Sequence, residues 1–282
     1  MHLAIFVNCN DKIEAVKLYF KVNIIMSISK VFKEALGETF VEKLRILRDN
    51  VSPKQRQILQ KRRLFYNQFV NRTDLCFDVG ANIGNRVTPL LQIGARVIAI
   101  EPQESCYKIL KSRFGKKIEI ITKGLGENEG VQKFHISNTS TISSFSEEWI
   151  NSVKDARFKE HNWDKTIEVD MTTLDKLIEA YGIPAFIKID VEGYELEVLK
   201  GLSQPIKMIS FEYTVPEQTN KIVECINIVQ RNSPNILCNY STGETMKMIS
   251  DEWLNVEKFF EHIQQPSFIM SGFGDIYLKE KA

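Results

Sequence analysis

The rhythm of apolar residues changes near Asn71 and divides this chain in two. Before that point Val31, Phe32, Leu36, Phe40, Val41, Leu44, Ile46 and Leu47 recur at helical spacing. Ser52-Pro53-Lys54-Gln55 then has the form of a capping box, with proline at the first helical position. Residues 1–70 are therefore read as a helical extension whose amphipathic stripe packs over one edge of a sheet, and no function is placed on Met1 to Asn23. After Asn71, short apolar runs alternate with helical segments, the signature of βαβ units and a mostly parallel sheet. Residues 71–282 are read as one α/β domain with helices on both faces. Strands are predicted at Leu75–Val79, Val97–Glu101, Ile118–Thr122, Ala185–Asp190, Met208–Tyr213, Ile236–Tyr240 and Asp275–Lys279. Helices are predicted at Asn85–Ile93, Glu104–Phe114, Thr173–Tyr181, Tyr194–Leu202 and Glu217–Arg231, and Trp253 reads as part of a packed helix.

Two stretches break the alternation. Glu127-Asn128-Glu129-Gly130 predicts a hairpin turn that adds an extra ribbon, followed by a strand over Val131–Ser137. Residues 138–165, rich in Ser and Thr and carrying Trp149, His161 and Trp163, are too long for a mere connection, and long insertions in compact domains are commonly lids or binding loops. This insertion is expected to be an acceptor lid. The two tryptophans serve either to anchor it or to stack on an acceptor, and His135 and His161 have no metal partner at useful spacing.

Composition narrows the function. The chain has 282 residues, 43% of them apolar, enough to fill the core of one large domain. Lys and Arg total 37 against 36 Asp and Glu, so there is no electrostatic case for a nucleic-acid partner. Cys9, Cys76, Cys106, Cys225 and Cys238 are odd in number and scattered, with no C-x-x-C pair, which suits a reducing cytoplasm. The most apolar early stretch, Leu18 to Phe32, is broken by Lys21 and Lys30 and is too short to cross a bilayer, so neither a signal peptide nor a membrane span is expected.

The first predicted strand ends in Asp78-Val79-Gly80-Ala81-Asn82-Ile83-Gly84 and runs straight into a helix. Gly80 and Gly84 let the backbone turn sharply and approach a ligand. A dinucleotide site needs a G-x-G-x-x-G run, whereas here Asn82 holds the middle position and the spacing to Gly84 is one residue short. S-adenosylmethionine has no phosphate and suits the run better: Asp78 can pair with its ammonium and amides of the turn, including those of Ala81 and Asn82, can meet its carboxylate. Glu101 ends the second strand about twenty residues later, placed to accept hydrogen bonds from both ribose hydroxyls, and Pro102 and Gln103 follow to line the adenine.

The fourth main strand reads Phe186-Ile187-Lys188-Ile189-Asp190-Val191-Glu192-Gly193, so Lys188, Asp190 and Glu192 fall on one side if the strand continues through Glu192. Glu212 lies at a similar level on the fifth. Asp78, Asp190, Glu192 and Glu212 are thus expected to converge around Lys188. Asp190 or Glu192 would deprotonate an acceptor hydroxyl. No metal ligand is assigned, but Asp190 and Glu212 would hold a divalent cation if one is used. The plainer readings are that Lys188 neutralises a neighbouring acid, that Glu192 bonds backbone amides at a helix start, and that Glu195 and Glu197 are solvated helix residues.

With these anchors in place, the sequence resembles the FkbM family of S-adenosylmethionine-dependent methyltransferases. The resemblance rests on Phe77 to Gly84, Ile100-Glu101-Pro102, Thr173-Leu174-Asp175-Lys176-Leu177, the run from Ile187 to Gly201, and Gly272-Phe273-Gly274-Asp275-Ile276-Tyr277. It implies a Rossmann-like, seven-stranded class I methyltransferase sheet, S-adenosylmethionine as donor, and O-methylation of a hydroxyl on a sugar, glycan or small natural product. Thr141-Ile142-Ser143-Ser144 resembles a small-residue stretch of the family that would border the cofactor. Two other classes remain open at this point: a nicotinamide-dependent oxidoreductase, and a non-catalytic cofactor-binding partner subunit.

Overall fold

The apolar runs after Asn71 pair into a seven-stranded sheet in the computed structural model, which describes residues 52–281. The stripe from Val31 to Leu47, Met1 to Asn23 and Cys9 lie outside the described residues. The first described helix, α1 (Pro53–Tyr66), begins at the predicted proline, and the compact unit that carries the sheet starts at Arg63.

The strands are β1 (Leu75–Val79), β2 (Arg96–Ile100), β3 (Glu119–Ile121), β4 (Gly124–Leu125), β5 (Gly130–Ile136), β6 (Lys165–Thr172), β7 (Phe186–Ile189), β8 (Met208–Thr214), β9 (Ile236–Thr242) and β10 (Phe273–Glu280). The main sheet runs β3-β2-β1-β7-β8-β10-β9, parallel except for β10, which is antiparallel to both neighbours. The chain winds outward from β1 on one side and from β7 on the other. Strand order therefore reverses between β1 and β7, and in open α/β sheets the crevice beyond the carboxyl ends at such a reversal is where ligands bind.

Side chains alternate between two cores. Phe77 and Val79 join one with Leu177 of α5 (Leu174–Tyr181), Val198 of α6 (Glu195–Lys200), Ile226 of α7 (Thr219–Asn232) and Phe259 of α8 (Val256–Ile263). Cys76 faces the other, with Tyr66, Leu90 of α2 (Val87–Ile93) and Leu110 of α3 (Glu104–Phe114). Each fully buried side chain of this kind contributes about 1.5–3 kcal/mol. This is the Rossmann-like arrangement, helices on both faces of a mostly parallel sheet, that the resemblance implies. Among the described residues no helix is long and apolar enough to cross a membrane.

The second sheet corrects the predicted hairpin. Its order is β4-β6-β5: β4 and β5, on either side of Glu127-Asn128-Glu129, do not pair with each other, because β6 lies between them, parallel to one and antiparallel to the other. The ribbon is thus closed from beyond the insertion. Within residues 138–165 the chain forms a 3₁₀ turn at Ser140–Ile142 and α4 (Glu147–Val153), capped by Ser146, whose hydroxyl accepts from Trp149 N at 3.1 Å. Trp253 is not helical: it precedes an isolated bridge between Leu254 and Cys238, and its ring receives the Lys279 ammonium 4.3 Å from its centroid.

Candidate active site

Asp78, next to last in β1, lies directly beside Lys188 of β7. It is 1% exposed, and its Oδ2 has no hydrogen-bond partner. Burial pushes its carboxyl up to about 7, against the pull of Arg86 and Lys188. A buried carboxylate oxygen without a donor is costly, and an ammonium brought to it would remove that cost. Gly80 follows at φ +79°, where a side chain would overlap the Asp190 carbonyl oxygen, so only glycine lets this turn lie against the end of β7.

The turn's amides are engaged within the protein. Those of Gly80 and Ala81 donate to Ile100 O at 2.9 and 3.0 Å, that of Asn82 to Glu101 Oε2 at 2.8 Å, that of Ile83 to Asn82 Oδ1 at 2.9 Å, and that of Gly84 to Ala81 O at 2.8 Å. Glu101 also accepts from Gln103 N at 2.8 Å. Burial raises its carboxyl to about 7, opposed by the bonds from Gln103 and Asn82. A carboxylate oxygen accepts more than one hydrogen bond, which is what a ribose diol requires. Pro102 is half-buried beside it.

The acids stand just beyond the end of β7, at Asp190 and Glu192, and near the carboxyl end of β8, at Glu212. Strand β7 stops at Ile189, so Glu192 does not share a strand face with Lys188 and Asp190; it sits in the following turn at φ +54°. That turn still brings it inward. One carboxylate oxygen each from Asp190, Glu192 and Glu212 lies within 4.8 Å of the other two. Burial, then the neighbouring Asp190, drives the Glu192 and Glu212 carboxyls well above the usual range. Acids this close cannot all ionise, so the cluster retains a proton while leaving a base beside it.

Lys188 is fully buried, and its ammonium meets Asp275 Oδ1 at 2.7 Å, Asp190 Oδ2 at 3.2 Å and Ile189 O at 3.2 Å. Burial alone would lower its pKa; Asp190 and Asp275 outweigh that, and it stays charged. Its three hydrogens are thus matched to three acceptors within the protein, one of them on Asp190. Asp275 went unnoticed as a site residue in the sequence, although it belongs to the Gly272–Tyr277 motif and pairs in register with Glu212. Arg86, just past the glycine turn, was missed as well.

Glu195 corrects a second expectation. It is 5% exposed rather than solvated, and its Oε1 accepts from Val191 N at 3.1 Å and Gly193 N at 3.2 Å. The backbone-capping role considered for Glu192 therefore belongs to Glu195. Glu197 is partly exposed and pairs with Lys200 at 2.7 Å.

The insertion borders both halves of the site. Ser140 Oγ accepts from Asn82 Nδ2 at 3.3 Å, Ser140 O accepts from Gln103 Nε2 at 3.1 Å, and Ser144 Oγ donates to Glu192 O at 2.7 Å. Trp149 is an anchor: it is 1% exposed and its ring lies where a side chain on Gly193 would stand. Trp163 donates to Ile142 O at 2.7 Å. His135 faces Glu147 at 3.3 Å and His161 faces Thr139 and Asn138.

Residues 78–251 match the family described as the methyltransferase FkbM domain. The hexuronic acid methyltransferase AglP of Haloferax volcanii is 26% identical over 143 residues, 49% of this chain and 54% of that protein, so the chain spans about half the length of this curated relative. Among solved structures, the precorrin-6y C5,15-methyltransferase of Geobacter metallireducens superposes with a TM-score of 0.41 at 9% identity, over 78% of this chain and 86% of that one. The plantazolicin methyltransferase BpumL, in complex with a desmethyl analogue and S-adenosylhomocysteine, gives 0.39 at 11% identity, over 96% and 99%.

Proposed function

This chain belongs to the FkbM methyltransferase family, and from that premise we propose that it is an S-adenosylmethionine-dependent O-methyltransferase acting on a hydroxyl of a sugar, glycan or small natural product. The observation that carries the reading is the convergence of Asp190 and Glu192, after β7, with Glu212 of β8, one strand away from the unpartnered oxygen of Asp78. The name of the Haloferax volcanii relative supports a sugar-type acceptor. Family membership also removes the ground for a nicotinamide-dependent oxidoreductase, and the carboxylate cluster speaks against a non-catalytic partner subunit.

S-adenosylmethionine, when bound, supplies a methyl group on a sulfonium, ready for in-line displacement. Asp78 would receive its ammonium, Glu101 its ribose hydroxyls, and the turn from Gly80 to Gly84 would lie along it. The protein's own work is on the acceptor. Asp190, oriented by Lys188, and the Glu192–Glu212 pair accept hydrogen bonds from neighbouring hydroxyls and hold the reacting oxygen on the axis of displacement, a contribution of about 7–11 kcal/mol when alignment is complete. The ionised member of the cluster takes the hydroxyl proton as the oxygen–methyl bond forms. The insertion over residues 138–165 acts as the acceptor lid.

A second reading has one observation behind it. Three carboxylate oxygens within 4.8 Å of one another match the spacing of ligands around a divalent cation, which would orient the acceptor and lower its pKa. Transfer of labelled methyl to fractionated glycolipid, polysaccharide and metabolite extracts tests both. Asp190→Asn and Glu212→Gln are each expected to lower kcat/KM by about 10²–10⁴-fold. Loss on chelation, restored by magnesium, selects the cation; transfer unaffected by either substitution refutes the assignment of the cluster.

A further inference from the structure

Glu192 reaches the acid cluster by a route that a strand would not give it. β7 ends at Ile189, and in a chain that ran on extended, Glu192 would stand roughly 6.6 Å beyond Asp190. Instead its backbone turns left-handed, at φ +54°, and a carboxylate oxygen comes within 4.8 Å of those of Asp190 and Glu212. A residue with a Cβ resists that conformation, and it persists only where the surroundings hold it. The inward place of Glu192 is therefore imposed by its neighbours.

A helix and the second sheet impose it. Glu195, at the start of α6, is 5% exposed, and its Oε1 accepts from both amides that flank Glu192, Val191 N at 3.1 Å and Gly193 N at 3.2 Å. In an extended stretch alternate amides lie roughly 6.6 Å apart, too far for one oxygen to serve both at those lengths. The shared oxygen and the left-handed turn thus require each other. From the other side, Ser144 is fully buried; its hydroxyl donates to Glu192 O at 2.7 Å and accepts from Ser146 N at 2.9 Å. Ser144 is in turn pinned to β5 by two backbone bonds with His135, at 2.9 and 3.0 Å. The turn's first residue is tied to β1, since Asp190 N donates to Val79 O at 2.9 Å.

We propose that Glu195 is a positioning residue for methyl transfer: with Ser144 as its counterpart on the insertion, it holds Glu192 among the acids that receive the acceptor hydroxyl. This rests on the reading of Asp190, Glu192 and Glu212 as the groups that handle the acceptor. Glu195 acts through Glu192, so its loss falls on turnover and spares the cofactor.

The test is a double-mutant cycle on the full chain, read as transfer of labelled methyl from S-adenosylmethionine to the glycolipid, polysaccharide and metabolite fractions. Glu195→Ala is expected to lower kcat about 10- to 100-fold, the effect of a misplaced acid, with KM for S-adenosylmethionine within about twofold of wild type. Glu195→Gln keeps an acceptor oxygen at the same reach and should recover most of that loss. In a Glu192→Gln background, Glu195→Ala should cost less than about threefold further, because the group it positions is already gone. Ser144→Ala, a smaller change that leaves α6 intact, should lower kcat about three- to tenfold and lose its effect in the same background. Hydrogen exchange at Val191 and Gly193 should quicken on the order of tenfold in Glu195→Ala and stay near wild type in Glu195→Gln. Losses from Glu195→Ala or Ser144→Ala that are as large without Glu192 as with it overturn the proposal, and so does a Glu195→Ala loss that falls equally on KM for S-adenosylmethionine. Transfer unaffected by Glu192→Gln alone overturns instead the reading of the acid cluster.

Discussion

Asp78 shows how one residue can carry a pH dependence for the whole site. An aspartate in the unfolded chain titrates near 3.9, while burial holds this one at about 7 in the folded protein without ligand. The folded state therefore favours the neutral form. The stability associated with it is fully present below the unfolded value and is lost as pH rises through about 7. Glu101 and Glu195, also raised to about 7 by burial, act in the same direction. An ammonium at Asp78 reverses the preference, because it rewards the charged form. S-adenosylhomocysteine affinity is thus expected to rise between about pH 6 and about pH 8, with release of a proton on binding at the lower end. Titrations in buffers of different ionisation enthalpy measure that proton directly. In Asp78→Asn the pH dependence should shrink along with the affinity; an unaltered slope in that variant would place the titrating group elsewhere.

At the scale of elements, the seven strands of the main sheet were legible because each is a short apolar run bounded by turn residues, as in Cys76-Phe77-Asp78-Val79 followed by glycine. Strand β6 was not, although Ile167, Val169 and Met171 alternate with Thr166, Glu168 and Asp170, because the run opens in the polar end of the insertion and five of its eight residues face solvent or lie half-buried. Strand β4 is two residues long and offers no period. The placement of β10 between β8 and β9 depends on non-local antiparallel pairing, so the meeting of Asp275 with Lys188 had no signal in the local sequence. The end of β7 at Ile189 likewise follows from tertiary packing. What replaces the strand is a turn built on Glu192 and Gly193, the latter at φ +86° under the Trp149 ring. Gly193→Ala combines a left-handed backbone with overpacking and is expected to cost about 2–4 kcal/mol in denaturant unfolding. Trp149→Ala in the same chain removes Cγ and Cδ1, two of the three atoms that an added Cβ would meet, and should give less than additive loss; strict additivity would show that the ring and the turn do not bear on each other.

Across the whole molecule, the insertion touches every strand end that contributes to the site. Ser140 meets Asn82 and Gln103 after β1 and β2, Ser144 meets Glu192 after β7, and Arg157 reaches Val215 O at 3.0 Å after β8 and Gly272 O at 3.3 Å before β10. Arg157 also pairs with Glu217 at 3.2 Å. The first two links lie against the residues assigned to the cofactor, while those of Arg157 lie at the far side, toward Glu212 and the β8 end. Two carbonyls and a carboxylate on one guanidinium fix where the far side of the insertion sits. If the insertion is the acceptor lid, loosening that end alone should separate acceptor binding from cofactor binding. Arg157→Ala is expected to raise the acceptor KM on the order of tenfold, the loss of one charged hydrogen-bonded contact, with S-adenosylhomocysteine affinity within about twofold of wild type. Hydrogen exchange should rise in residues 150–164 and 215–218 and stay unchanged around Ser140. Equal losses of cofactor and acceptor binding would instead make the insertion a single rigid wall, with acceptor choice set by the carboxylates beneath it.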